Sequence, residues 1–232
     1  KDQIPNYDSE TGKLSRTVRG TVLTGVQTRF SVIGTAEQEQ VMGVVFRPGG
    51  TRPFLRMPAN EIADMDVELD SIWDRSTART LRERLLETDG AEARLCLLEQ
   101  ILLDAFTSNQ LHPAVEYALK TFVRRPLLAS VGKVTDSVGL SPKRFIERFK
   151  IEVGYTPKQF CRVLRFQQAI SLIHQQTSID WSDLALDCGY FDQAHLIHDF
   201  RSFAGFTPTA YQSAQTEFRN HVKFLQSDSE KS

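Results

Sequence analysis

The twelve residues FKIEVGYTPKQF, 149–160, return 51 positions later as FRSFAGFTPTAY, 200–211, and this pair decides the fold. Phe, Gly, Thr and Pro coincide, a basic residue follows the first Phe in both, and aromatic residues fill the two remaining slots. In the first copy Phe145 and Phe149 stand four apart, as on one helix face, and Gly154 stands where a helix takes a left-handed terminator. Thr156 suits an N-cap and Pro157 a first helical position, so a new helix begins at once and carries Phe160 on its first turn. Phe200, Gly205, Phe206, Thr207, Pro208 and Tyr211 repeat the device. The cassette stops one helix and starts the next.

Upstream of each copy lies a second shared pattern. VGKVTDSVGLSPKRF, 131–145, puts Val131, Val134 and Val138 on one helix face, then Gly139, then Ser141-Pro142 as cap and first residue of another helix. DWSDLALDCGYFDQAHL, 180–196, places Trp181, Leu184 and Cys188 likewise, then Gly189, then Asp192 as the cap. Helix, tight glycine turn and second helix with one packed face describe a helix-turn-helix. Two are predicted, offset by 50 residues before the turn and 51 after it, so the second turn is one residue longer. Helical pairs with glycine turns also occur in bundles that bind nothing, but two in register, one inside a basic block, favour nucleic-acid binding.

That block is the main feature of the charge distribution. The chain of 232 residues has a net charge of only -1, yet 124–165 holds ten basic and three acidic residues, a local excess of +7. Residues 1–123 and 166–212 each carry an excess of -4. A hydrophobic content of 41% is enough to bury a core. No apolar run is long enough to span a membrane and no signal peptide is visible, so no membrane partner is expected. Cys96, Cys161 and Cys188 lie far apart without metal-ligand spacing, which reads as a reducing, cytoplasmic setting, three small core hydrophobes and no metal.

Outside the C-terminal half the texture differs. From Ser15 to Phe54, β-branched and apolar runs broken by Gly and Pro predict a small antiparallel β region, with the first dozen residues as a loop. Too few strands are present to close a sandwich or barrel, and the chain starts at Lys1, so the region reads as the remainder of a larger β domain. STARTLRERLLET, 76–88, and AEARLCLLEQILLDAF, 91–106, predict helices, the second with a Leu95, Leu98, Leu102, Ala105 stripe. Another helix opens at Pro113 and closes before Pro126, with a domain boundary between Asn109 and Pro113. The expected class is α+β: 1–110 a β region plus helices, 111–214 an all-α domain, and 215–232 a polar tail that can extend the last helix and ends in a disordered stretch.

GLSPKRFIERFKIEVGYTPKQF, the connecting RFQQAISLI and DLALDCGYFDQAHLIHDFRSFAGFTPTAY resemble the signature of the AraC/XylS family of bacterial transcription regulators. The likeness runs from Val131 to Tyr211. It implies a seven-helix DNA-binding domain whose two helix-turn-helix units are joined by one helix, here about Pro157 to Ile173, with double-stranded DNA and RNA polymerase as partners. GVVFRPGGTRPFLRMPANEIADMDVELDSIW, 43–73, is similar to an uncharacterised, cupin-like domain that often precedes such a half. A small-molecule effector and a homodimer are roles such a domain could host. Arg148 departs from the family pattern, standing where an apolar residue is usual, with Glu152 as an i+4 partner or a phosphate as alternatives.

With Phe145 and Phe149 facing the core, the opposite face of that helix is Lys143, Ile146, Glu147 and Lys150, the positions the resemblance also implies for DNA, with Arg144 at the flank. The 51-residue offset gives Ala194, Ile197, His198 and Arg201, with Gln193 and His195 near the N-terminal end. Lys143 and Lys150 suit guanine or phosphate, Glu147 a cytosine amino group, and Ile146 or Ile197 thymine methyls. A solvated lysine or a capped surface histidine is the plainer alternative in each case. No catalytic group and no cofactor is expected. A DNA-repair methyltransferase shares this DNA-binding half, but its reactive cysteine and four-cysteine zinc site cannot be built from three scattered thiols. Arg47 and Arg52 beside Gly49-Gly50 read as a tight turn before an anion loop.

Overall fold

The computed structural model describes residues 3–36, 41–55, 57–107, 110–124, 130–218 and 220–222. The expected boundary at Asn109, the helix end at Pro126 and the tail from 223 onward lie outside them. The class is α+β, as expected. The N-terminal part holds five short strands: β1 (Gln3–Tyr7), β2 (Leu14–Arg19), β3 (Val22–Thr24), β4 (Val32–Ile33) and β5 (Asp66–Glu68). They form a three-stranded sheet of order β2-β1-β4 and a two-stranded ribbon β3-β5, all antiparallel.

Two expectations fail here. The first dozen residues are not a loop, because β1 is the central strand, paired with β2 from Gln3↔Arg19 to Tyr7↔Leu14. Pro5 makes this stretch look broken, but it sits at the end of the pairing with β4, which covers Asn6 and Tyr7, and its carbonyl still accepts from Gly34 N–H at 2.8 Å. Conversely, Val41 to Phe46 forms no strand, and Val45 is almost wholly exposed. At Arg47 the Gly50 N–H donates to the Arg47 carbonyl at 2.7 Å, which is a tight turn.

Two helices follow, α1 (Arg75–Glu87), capped by the Asp74 carboxylate, and α2 (Ala91–Ala105). On α2 only Ile101 is buried. The expected stripe instead lines an open apolar cleft of about 210 Å³, in which Leu95, Leu98 and Leu102 face Phe54 and Phe106.

Seven helices make up the C-terminal half among the described residues: α3 (Pro113–Arg124), α4 (Val131–Ser137), α5 (Pro142–Val153), α6 (Pro157–Gln175), α7 (Trp181–Asp187), α8 (Gln193–Ala204) and α9 (Pro208–Ala214). Their ends are fixed by the residues that recur. Gly154 and Gly205 close α5 and α8 at φ of 89° and 73°, a region costly for any side chain with a Cβ. Thr156 accepts from the Gln159 N–H while the Gln159 side chain accepts from the Thr156 N–H, a complete capping box for α6. Thr207 caps α9 by accepting from Ala210 N–H, and Ala210 has nothing to return.

Each unit has its own core. Val115, Phe122, Phe145, Phe149 and Phe160 fill the first, and Phe166, Ile170, Ile173, Leu184, Leu196, Phe200 and Tyr211 the second. Phe160 and Phe166 lie on one helix, so α6 is shared by both. The cysteines divide: Cys188 is in the core, Cys161 is half-buried, and Cys96 is exposed, which corrects its assignment as a core hydrophobe.

Candidate nucleic-acid interface

The candidate surface begins with what each helix cannot expose. Phe145, Phe149, Glu152 and Val153 face inward on α5, which turns Lys143, Arg144, Ile146, Glu147 and Lys150 outward. At 3.6 residues per turn, 143, 146, 147 and 150 share one face. Leu196, Asp199 and Phe200 are buried on α8, leaving Gln193, Ala194, His198 and Arg201 exposed. His195 and Ile197 are half-buried: the His195 ring meets the Tyr190 ring edge-on at 5.2 Å, and Ile197 lines a shallow cleft with Trp181, Arg201 and Pro208. Nine of the eleven expected residues are therefore open to a ligand, and two serve packing as well.

Both helices are aimed by their caps. Ser141 accepts from Arg144 N–H at 3.4 Å and Asp192 from His195 N–H at 2.7 Å, fixing the first turn of each helix. Phe191, the extra residue of the second turn, is 84% exposed beside that cap.

Two buried carboxylates anchor the helices from behind, and both escaped the sequence reading as such. Glu152 Oε2 accepts from His112 N–H at 2.9 Å, tying the end of α5 to the start of α3, and its Oε1 faces Arg148 Nη1 at 3.6 Å. The i+4 partner of Arg148 is thus present. Asp199, 2% exposed, receives Arg162 of α6 in a two-pronged contact, Nη2 to Oδ1 at 2.7 Å and Nε to Oδ2 at 3.3 Å. The hydrogen bond to Asp199 holds the Arg162 guanidinium more firmly protonated than usual, against some desolvation. By the 51-residue offset Asp199 is the counterpart of Arg148. One position is thus used with opposite charges, and no periodicity within one copy reveals that the second needs a partner 37 residues away.

A family described as helix-turn-helix domain matches residues 134–214, covering both units and the helix between them. The match thus assigns residues 134–214 to a helix-turn-helix domain family. Ahead of this helix-turn-helix domain, residues 4–68 match a domain of unknown function, DUF6597. The chain is 26% identical over 147 residues to a probable transcriptional regulator, LumQ, of Photobacterium leiognathi, an alignment covering 62% of this chain and 52% of that protein. The chain thus spans about half the length of this curated relative. Among solved structures, the DNA-binding domain of AdpA in complex with a target DNA is 23% identical at a TM-score of 0.40, covering 44% of this chain and 93% of the other. An AraC-type regulator from Chromobacterium violaceum is 24% identical at the same score, with 45% and 94% covered.

Proposed function

We propose that this chain is a sequence-specific DNA-binding transcription regulator that lays α5 and α8 in successive major grooves of one duplex. The observation that carries the reading is the duplicated recognition helix: two capped helices of one construction, each exposing polar and charged side chains at the same offsets, joined by the single helix α6. At ~1.5 Å per residue the 19 residues of α6 span roughly 28 Å, near the ~34 Å separation of adjacent major grooves on one face of a duplex. The site for one chain is accordingly bipartite and not palindromic. Lys143, Arg144, Ile146, Glu147 and Lys150 form the first contact set, and Gln193, Ala194, His195, Ile197, His198 and Arg201 the second. RNA polymerase is the proposed protein partner, a homodimer through the N-terminal part is an open arrangement, and the cytoplasm is the proposed location.

Catalysis by Cys161 or Cys188 is disfavoured on chemical grounds. Burial pushes the Cys161 thiol up to about 11 and the Cys188 thiol up to about 12, opposite to what a nucleophile needs. The apolar cleft between α2 and Phe54 is where a small apolar effector would fit, so regulation through the N-terminal part is proposed with it. Calorimetry with candidate metabolites tests that role.

Selection of binding sites from random double-stranded DNA by the full chain tests the main reading. A bipartite sequence motif is expected. Failure to enrich any sequence would overturn it.

A further inference from the structure

Resting on the DNA-binding reading, we infer that residues 25–30 are a strap that fixes the separation of the two recognition helices, with Val26 and Phe30 as the positioning residues, and so sets the base-pair spacing the protein accepts. The strap, GVQTRF, leaves β3 and runs to the glycine that ends each recognition helix. Val26 covers Gly154: a Cβ there would stand 2.6 Å from Val26 Cγ2 and 3.4 Å from the Ala59 carbonyl oxygen. Phe30 lies against Gly205, where a Cβ would stand 2.5 Å from Phe30 Cζ. These glycines are the same position of the repeated cassette, 51 residues apart. One short segment therefore touches both copies of the same structural mark.

Its length makes it a gauge. Four residue steps separate Val26 from Phe30, at most about 14 Å of chain, so a large change in the distance between the helix ends must break one contact. The strap is also held along its length. Tyr155, next to Gly154, donates its hydroxyl to the Gln27 carbonyl at 2.7 Å. Asp64, at φ 57°, donates its N–H to the Val26 carbonyl at 2.8 Å and accepts on its carboxylate from the Thr28 N–H at 2.5 Å and the Thr28 hydroxyl at 2.6 Å. Gly25 N–H donates to the Met65 carbonyl at 2.9 Å. The N-terminal region thus grips the strap, and the strap grips both helix-turn-helix units behind their DNA-facing residues. None of its side chains belongs to the proposed contact sets, so its effect is on where the two helices stand.

The test uses the full chain and the motif selected above, rebuilt with one base pair added or removed between its two halves. Each added base pair moves one half by roughly 3.4 Å and turns it by about 35°. The wild type is expected to prefer the selected spacing, and Val26→Ala with Phe30→Ala to lose about fivefold of that preference by gel-shift titration, a change of the size typical of coupling between sites. Tyr155→Phe, which keeps the buried ring and removes only the bond to Gln27, is expected to move the preference in the same direction and serves if the double variant fails to fold. Unaltered spacing preference in either folded variant, whatever its melting temperature, overturns the strap while leaving DNA binding intact. Absence of any motif with the wild type overturns both.

Discussion

At the residue scale the decisive groups are those that look wrong for their surroundings. Asp199 is a carboxylate in a core, tolerable because Arg162 meets it with two N–H groups. Removing Arg162 leaves that charge stranded, so Arg162→Ala is expected to cost about 3 kcal/mol, the low end for a buried pair because Arg162 still reaches water. Urea unfolding measures it, and Asp199→Asn with Arg162→Ala should recover part of the loss. Tyr155 gives a pH signature. Burial, and secondarily Asp64, pushes its phenol from 10 up to about 12, so the folded state favours the neutral form. That contribution is complete below pH 10 and is lost as pH rises from 10 to 12. Tyr155→Phe should flatten this part of the stability curve; an unchanged slope between urea midpoints at pH 9 and 11 would exclude it. Thiol reactivity follows exposure: Cys96 should label with a maleimide first and Cys188 only on unfolding, as read by mass spectrometry.

At the element scale, the repeated cassette was legible because its parts act over four or five residues. Gly154, Thr156 and Pro157 stop and start helices by local backbone chemistry, and the structure shows them doing so. Inequality between the copies follows from one neighbour each. Thr156→Ala should cost about 1 kcal/mol, and more than Thr207→Ala, because only the first breaks a two-way box. Gly154→Ala should cost more than Gly205→Ala, since Gly154 is buried between Val26 and the Ala59 carbonyl oxygen, whereas Gly205 is exposed and its nearest neighbour is the side chain of Phe30. Thermal melts rank all four. What stayed hidden has equally physical reasons. β1 contains a proline whose tolerance depends on how far β4 runs, Val41 to Phe46 has strand composition without a strand to pair with, and the strap has no period and meets Tyr155 across 128 residues. Exposure of the candidate contact residues was predictable from the helical period. The half-burial of His195 and Ile197 was not, because Tyr190 and Trp181 come from the helix and turn before them.

At the scale of the whole molecule, charge is divided between the two units. The block 124–165, with its excess of +7, contains α5, whereas α8 lies in a stretch of opposite sign. Affinity should therefore fall more for Lys143→Ala with Lys150→Ala than for His198→Ala with Arg201→Ala at fixed salt. If both lysines meet phosphate, the slope of log affinity against log salt should drop by about 1.8 in the first variant. Equal losses in a gel-shift titration would sink this asymmetry. The sharing of α6 has a different consequence. Phe160 seals one core while Phe166, Ala169, Ile170 and Ile173 seal the other, so neither unit can open without stripping apolar cover from the helix on which its neighbour rests. The tandem domain is built to melt once and not twice, and backbone amides between Phe160 and Ile173 should be the last to exchange with heavy water.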